Sequence, residues 1–104
     1  MPEVAVTKVD ALVRAREVSR RRREFQRAVA DSDNPREFLA VTLEEGVPEY
    51  LHKMTLLAYL CMAPRVGRER AERMLERAQI NPLSTVGRLT ERELGVLGHV
   101  LRGD

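Results

Sequence analysis

Met62-Ala63-Pro64-Arg65-Val66-Gly67-Arg68-Glu69-Arg70-Ala71 is the stretch that decides the fold. It joins two apolar, helix-patterned segments through Pro-basic-Val-Gly-basic, the pattern of a tight hairpin between helices. The same pattern suits a phosphate. Gly67 has no Cβ, so a phosphate oxygen can come close to the backbone. The first amides of the helix that follows are unpaired and carry the positive end of its dipole. Arg65, Arg68 and Arg70 surround that spot. A hairpin of this kind holds the nucleic-acid backbone without reading bases. A corner of this type also occurs as plain architecture, so the flanking arginines carry the functional reading.

Downstream, residues 68–79 carry Ala71, Met74, Leu75 and Ala78 at i, i+3, i+4, i+7, one apolar face of a helix. Ile80-Asn81-Pro82 ends it, and 83–89 reads as a loop. Thr90-Glu91-Arg92-Glu93 is a capping box opening a last helix, with Leu94, Leu97 and Leu101 on one face. Upstream, residues 50–62 are predicted to form one continuous helix at the centre of the fold. Its expected face is Met54, Leu57, Ala58 and Cys61, widened by Leu56, Leu60 and Met62. Before it, Asn34 caps a helix with Pro35 at its first position and Glu37 three residues after the cap. Phe38, Leu39, Val41, Thr42 and Leu43 line that helix, and Gly46 and Pro48 stop it.

The first helix is predicted over about 7–30. It contains Arg20-Arg21-Arg22-Arg23, which point around most of its circumference at 100° per residue. Unpaired buried charge is costly, so this turn cannot lie deep in a core and the N-terminal part should project. Glu17, Glu24 and Arg27 stand at pairing distance along the helix, so the four arginines serve either surface pairs or phosphates. No alternating strand pattern or internal repeat occurs. The expected architecture is all-α, with a long N-terminal helical arm, 1–31, packed on a compact helix–two-turns–helix body of about four helices, 32–104.

Composition bounds the function. The chain has 104 residues, one domain, and a third of them are charged. Residues 1–30 carry a net +4, residues 31–60 carry −4, and the rest carry +2, so the two ends suit a polyanion better than the middle. Of 18 basic residues 16 are Arg, the better bidentate phosphate ligand, although codon bias in a GC-rich genome gives the same excess. Residues 1–9 hold no signal-type apolar stretch, no apolar run matches a membrane span, and the one cysteine cannot form an internal disulfide, so a cytoplasmic location is expected. Cys61, Met54, Met62 and Met74 read as core filler. His52 and His99 have no partner at metal-ligand spacing. No nucleophile–base pair, P-loop or paired-carboxylate site stands out, so the chain reads as a non-enzyme with no cofactor.

From about residue 21 to residue 101 the sequence resembles the actinobacterial integration host factor. The residues that carry the resemblance are Lys53-Met54, the hairpin Pro64-Arg65-Val66-Gly67-Arg68 with Ala71, the Ile80-x-Pro82 step, and Leu89 leading into a charged final helix. The resemblance implies a monomer that binds duplex DNA with little sequence preference, bends or compacts it, and assists an integrase or another recombination protein, on the nucleoid. Together with the residues read above, the candidate contact set is Lys53, Arg65, Val66, Gly67, Arg68, Arg70, Arg88 and Arg92, with Arg20, Arg21, Arg22 and Arg23 on the arm. One departure stands out. The family is expected to carry Arg-Arg-x-Arg-Gly after the Ile-x-Pro step, where this chain has Ser84-Thr85-Val86-Gly87-Arg88. The chain thus reads as a divergent member, a paralogue or a phage-borne version. Two further readings stand beside it: a protein-interaction module on the same scaffold, and a binder of structured RNA.

Overall fold

The structure, a computed structural model, describes the backbone of residues 2–103 and the side chains of residues 9–103. Met1 and Asp104 lie outside the described residues, as do the side chains of most of the 1–9 stretch read above for a signal. Five α-helices follow in order: α1 (Pro2–Asp31), α2 (Pro35–Glu45), α3 (Leu56–Leu60), α4 (Arg68–Ala78) and α5 (Glu91–Gly103). Two 3₁₀ turns, Glu49–Leu51 and Val86–Arg88, precede α3 and α5. Among the described residues there is no strand, and the all-α bundle expected from the sequence is what forms.

The predicted caps are made. The Asn34 side chain accepts a hydrogen bond from the Glu37 amide at 3.2 Å. The Glu93 amide donates to Thr90 Oγ1 at 3.2 Å, and the Thr90 amide donates to Glu93 Oε1 at 3.0 Å, the reciprocal pair of a capping box. Gly46 ends α2 at φ 121°, a conformation open to glycine and strained for other residues. α4 ends on Gln79 in the left-handed region, φ 58°, where the Ile80 amide closes back on the Leu75 carbonyl at 2.9 Å and Ile80 is buried.

The single helix expected over 50–62 does not form. The chain makes the Glu49–Leu51 turn, leaves helical geometry, and restarts as α3, with Thr55 Oγ1 accepting from the Ala58 amide at 3.2 Å. The cause is tertiary. The Leu56 amide donates to the Ser84 carbonyl, the Val86 amide to the Met54 carbonyl and the Gly87 amide to the His52 carbonyl, each at 2.9 Å. Thr55 and Thr85 form an isolated antiparallel bridge. Backbone groups that a continuous helix would pair internally are spent on the 83–89 loop instead. The buried face changes with it: Leu51, Leu56, Tyr59, Leu60, Met62 and Ala63 are buried, while Ala58 is exposed and Met54, Leu57 and Cys61 are half-buried.

α2 packs chiefly on α5, α4 packs on α5 and α3, and α1 rests on α2 and the Glu49–Leu51 turn. The core is built from Leu39, Leu43, Leu75, Leu97, Leu101 and their neighbours. All four aromatics of the chain meet where α1 docks. Phe25 lies 5.7 Å from Phe38, 6.5 Å from Tyr50 and 6.3 Å from Tyr59 between ring centroids, the first two edge-on. The Tyr59 hydroxyl donates to the Leu39 carbonyl at 2.8 Å, and burial pushes its phenol well above the ordinary range. Arg102 of α5 clasps Glu37 and Glu44 of α2 through its guanidinium, donating to Glu37 at 2.8 and 3.1 Å and to both carboxylate oxygens of Glu44.

The arm projects as the four-arginine turn required. A helix of 30 residues is about 45 Å long, and the molecule measures 54 × 27 × 25 Å. Among the described side chains of α1 only Phe25 and Val29 are buried, and Val9, Leu12 and Val13 are 60, 54 and 58% exposed.

Candidate nucleic-acid interface

The corner 61–67 and the first turn of α4 bring five of the sequence-predicted residues together. α4 starts at Gly67, whose backbone is extended at φ −81°, ψ 174°, and no side chain caps the helix. The first amides of an 11-residue helix are thereby left to solvent. A Cβ built on Gly67 meets nothing within 4 Å. The fold itself does not demand glycine here, so the space above the helix end is open to a ligand.

Arg65 sits two residues before this end with φ 73°, in the left-handed region where a non-glycine side chain costs about 1–2 kcal/mol. Arg65 and Arg70 are exposed, with no acidic partner among the described residues. Arg68 is not free: its Nε donates to Glu72 Oε1 at 3.0 Å, an exposed pair along the helix. Glu69 stands in the same first turn and opposes an anion there. Val66 is 5% exposed, so its side chain belongs to the core and its backbone is the part that can face a ligand. Burial pushes the half-buried Cys61 thiol upward against the pull of Arg68, which leaves it a poor nucleophile.

A second basic site was not visible in the sequence. Lys53 and Arg88, 35 residues apart, line one open groove of ≈ 560 Å³ with His52, Asn81, Ser84 and Thr85. The Thr55–Thr85 bridge that splits the expected helix is what brings them together. Gly87 lies on His52 so closely that a Cβ would come within 2.7 Å of His52 Cβ, so this is a glycine the packing requires. The groove and the hairpin flank opposite ends of α3, a helix of about 7.5 Å. A broader groove of ≈ 830 Å³ continues from His52 and Lys53 to Arg14, Arg21 and Arg22 of the arm. Arg14 was missed because nothing in its local sequence marks it.

The four consecutive arginines divide by partner. Arg20 donates to both oxygens of Glu17 at 2.7 Å and lies 3.6 Å from Glu24, and Arg21 donates to Glu17 at 2.8 Å. Their guanidinium groups hold the Glu17 carboxyl below its ordinary value. Arg22 is half-buried and its Nε donates to the Tyr50 carbonyl at 2.8 Å, so it ties the arm to the body. Arg23 is exposed. Arg92 is exposed in the first turn of α5.

Among the described residues no three of His, Cys, Asp and Glu gather as a metal site requires. No helix among them is long and apolar enough to cross a membrane. No family model, curated protein or solved structure matches the chain.

Proposed function

We propose that this protein is a sequence-tolerant binder of duplex DNA that grips the phosphate backbone and bends or compacts the duplex, in the manner of the actinobacterial integration host factor it resembles. The observation that carries the reading is the uncapped start of α4, open above Gly67 and flanked by the exposed Arg65 and Arg70. Lys53 and Arg88 add a second positive site at the other end of α3. Two basic sites separated by a short helix suit two stretches of one backbone, and neither reads bases. On this reading the protein acts as a monomer on the nucleoid, beside an integrase or other recombination protein.

Duplex is favoured over single strands by the aromatic count. Base stacking on exposed rings dominates single-strand and RNA-loop recognition. Phe25 and Tyr59 are buried, and Phe38 and Tyr50 are half-buried and pack on Phe25, so no fully exposed ring is offered for stacking.

The test is Gly67→Glu. It puts bulk and negative charge where a phosphate oxygen sits, while the open space above Gly67 and its ordinary backbone leave the fold intact. Duplex binding by fluorescence anisotropy is abolished while circular dichroism still shows a folded helical protein. Normal binding by the folded variant reduces the hairpin to architecture. One observation favours the second reading, a protein-interaction module: Val9, Leu12 and Val13 expose an apolar stripe at i, i+3, i+4 on the arm. On that reading Arg65→Ala and Arg68→Ala leave function untouched.

A further inference from the structure

Leu83 is 74% exposed, more than any other large apolar side chain among the described residues. A single exposed leucine is ordinary. Its setting is not. It lines the same groove as Lys53 and Arg88. Its backbone is stiff. The Leu83 amide donates to Asn81 Oδ1 at 2.9 Å and the Ser84 amide to the Asn81 carbonyl at 3.0 Å, which closes the turn around it. The Pro82 and Ser84 carbonyls on either side accept from the Leu57 and Leu56 amides at 3.3 and 2.9 Å, so the loop is tied to α3. An apolar side chain is thus carried on a loop tied to α3, in a groove it shares with two cations, and is left in water.

We propose that Leu83 is a wedge that enters the minor groove and partly unstacks one base step, kinking the duplex while Lys53 and Arg88 hold the flanking phosphates. This rests on the duplex-binding reading above. Proteins that kink DNA through the minor groove insert apolar side chains in this way, and the unstacking cost is offset by the wider contact that the bend allows. The inserted leucine gains burial that it lacks in the free protein. Pyrimidine–purine steps unstack most easily, so the wedge favours a TA step without any base-specific hydrogen bond.

The experiment uses the full chain and a duplex of about 30 base pairs, of random sequence except for one central TA step flanked by 2-aminopurine, with fluorophores at the ends. Anisotropy reads binding, end-to-end energy transfer reads bending, and 2-aminopurine emission reads unstacking. Wild type shortens the end-to-end distance and raises the emission. Leu83→Ala binds within about threefold of wild type, because phosphate contacts dominate affinity, but loses most of the bend and the emission rise. Leu83→Met, long and apolar, restores both. Equal bending and emission by Leu83→Ala overturns the wedge, as does loss of binding by that variant with its helical spectrum intact. Failure of wild type to bind any duplex overturns the binding reading itself, a result distinct from binding without unstacking.

Discussion

Arg65 holds a left-handed backbone that glycine adopts freely, and it is one of only two non-glycine residues with positive φ among those described. Strain of this kind persists only where the surrounding structure over-determines it, and it clusters at functional sites. Arg65→Gly is therefore expected to raise stability by about 0.5–1 kcal/mol, the relief of the left-handed penalty less the added freedom of the unfolded chain. The same change removes a phosphate ligand, and the log–log salt slope of duplex binding becomes shallower by about 0.9. Thermal denaturation and a salt titration on the same variant read both effects. A variant that gains stability and keeps its slope assigns Arg65 to architecture alone. The hairpin was legible in the sequence because Pro64, Val66 and Gly67 mark it locally. The backbone strain at Arg65 was not, since nothing in an arginine announces positive φ.

At the scale of elements, local signals were read well and tertiary ones were not. Asn34-Pro35, Thr90-Glu93 and Ile80-Asn81-Pro82 place helix ends where they form, because a cap acts within three or four residues. The helix expected over 50–62 breaks because loop carbonyls and amides 30 residues away take its backbone partners. The one local clue was Thr55, a good cap inside an apolar run. The same pairing creates the groove of Lys53 and Arg88, so that site was hidden for the same reason. Ser84 and Thr85 line it where the resembled family presents arginines. Ser84→Arg with Thr85→Arg is expected to tighten duplex binding and steepen the salt slope by about one to two units, near 0.9 per added contact. Both positions are half-buried, so some stability is lost to crowding of like charge with Lys53 and Arg88. An unaltered slope, measured on one duplex at matched salt, means that the groove does not face DNA.

At the scale of the molecule, charge is divided between holding the fold and meeting a polyanion. Arg102, Arg20, Arg21 and Arg22 serve the fold or its surface pairs, whereas Lys53, Arg65, Arg70, Arg88 and Arg92 face solvent. Within the four-arginine turn, Arg20 and Arg21 pair with Glu17 one turn away and Arg22 with the Tyr50 carbonyl, while Arg23 is exposed. The clasp on α2 predicts an acid limb. Arg102 holds the Glu44 carboxyl below its ordinary 4.5, so the folded state binds fewer protons than the unfolded chain in that window. Its contribution is present above about pH 4.5 and is lost as pH falls through the lowered value. Glu44→Gln is expected to show a melting temperature that falls less than that of wild type as pH drops below about 4.5, because the lowered Glu44 carboxyl is the group lost. An equally steep acid limb in the variant removes the clasp from the account. The central claim, that the two basic sites neutralise DNA phosphates, is tested most directly by duplex affinity as a function of salt. With about three to six phosphates contacted, the log–log slope is expected near −3 to −5 and nearly the same for unrelated sequences. A flat response, or an affinity that depends strongly on sequence, contradicts the account.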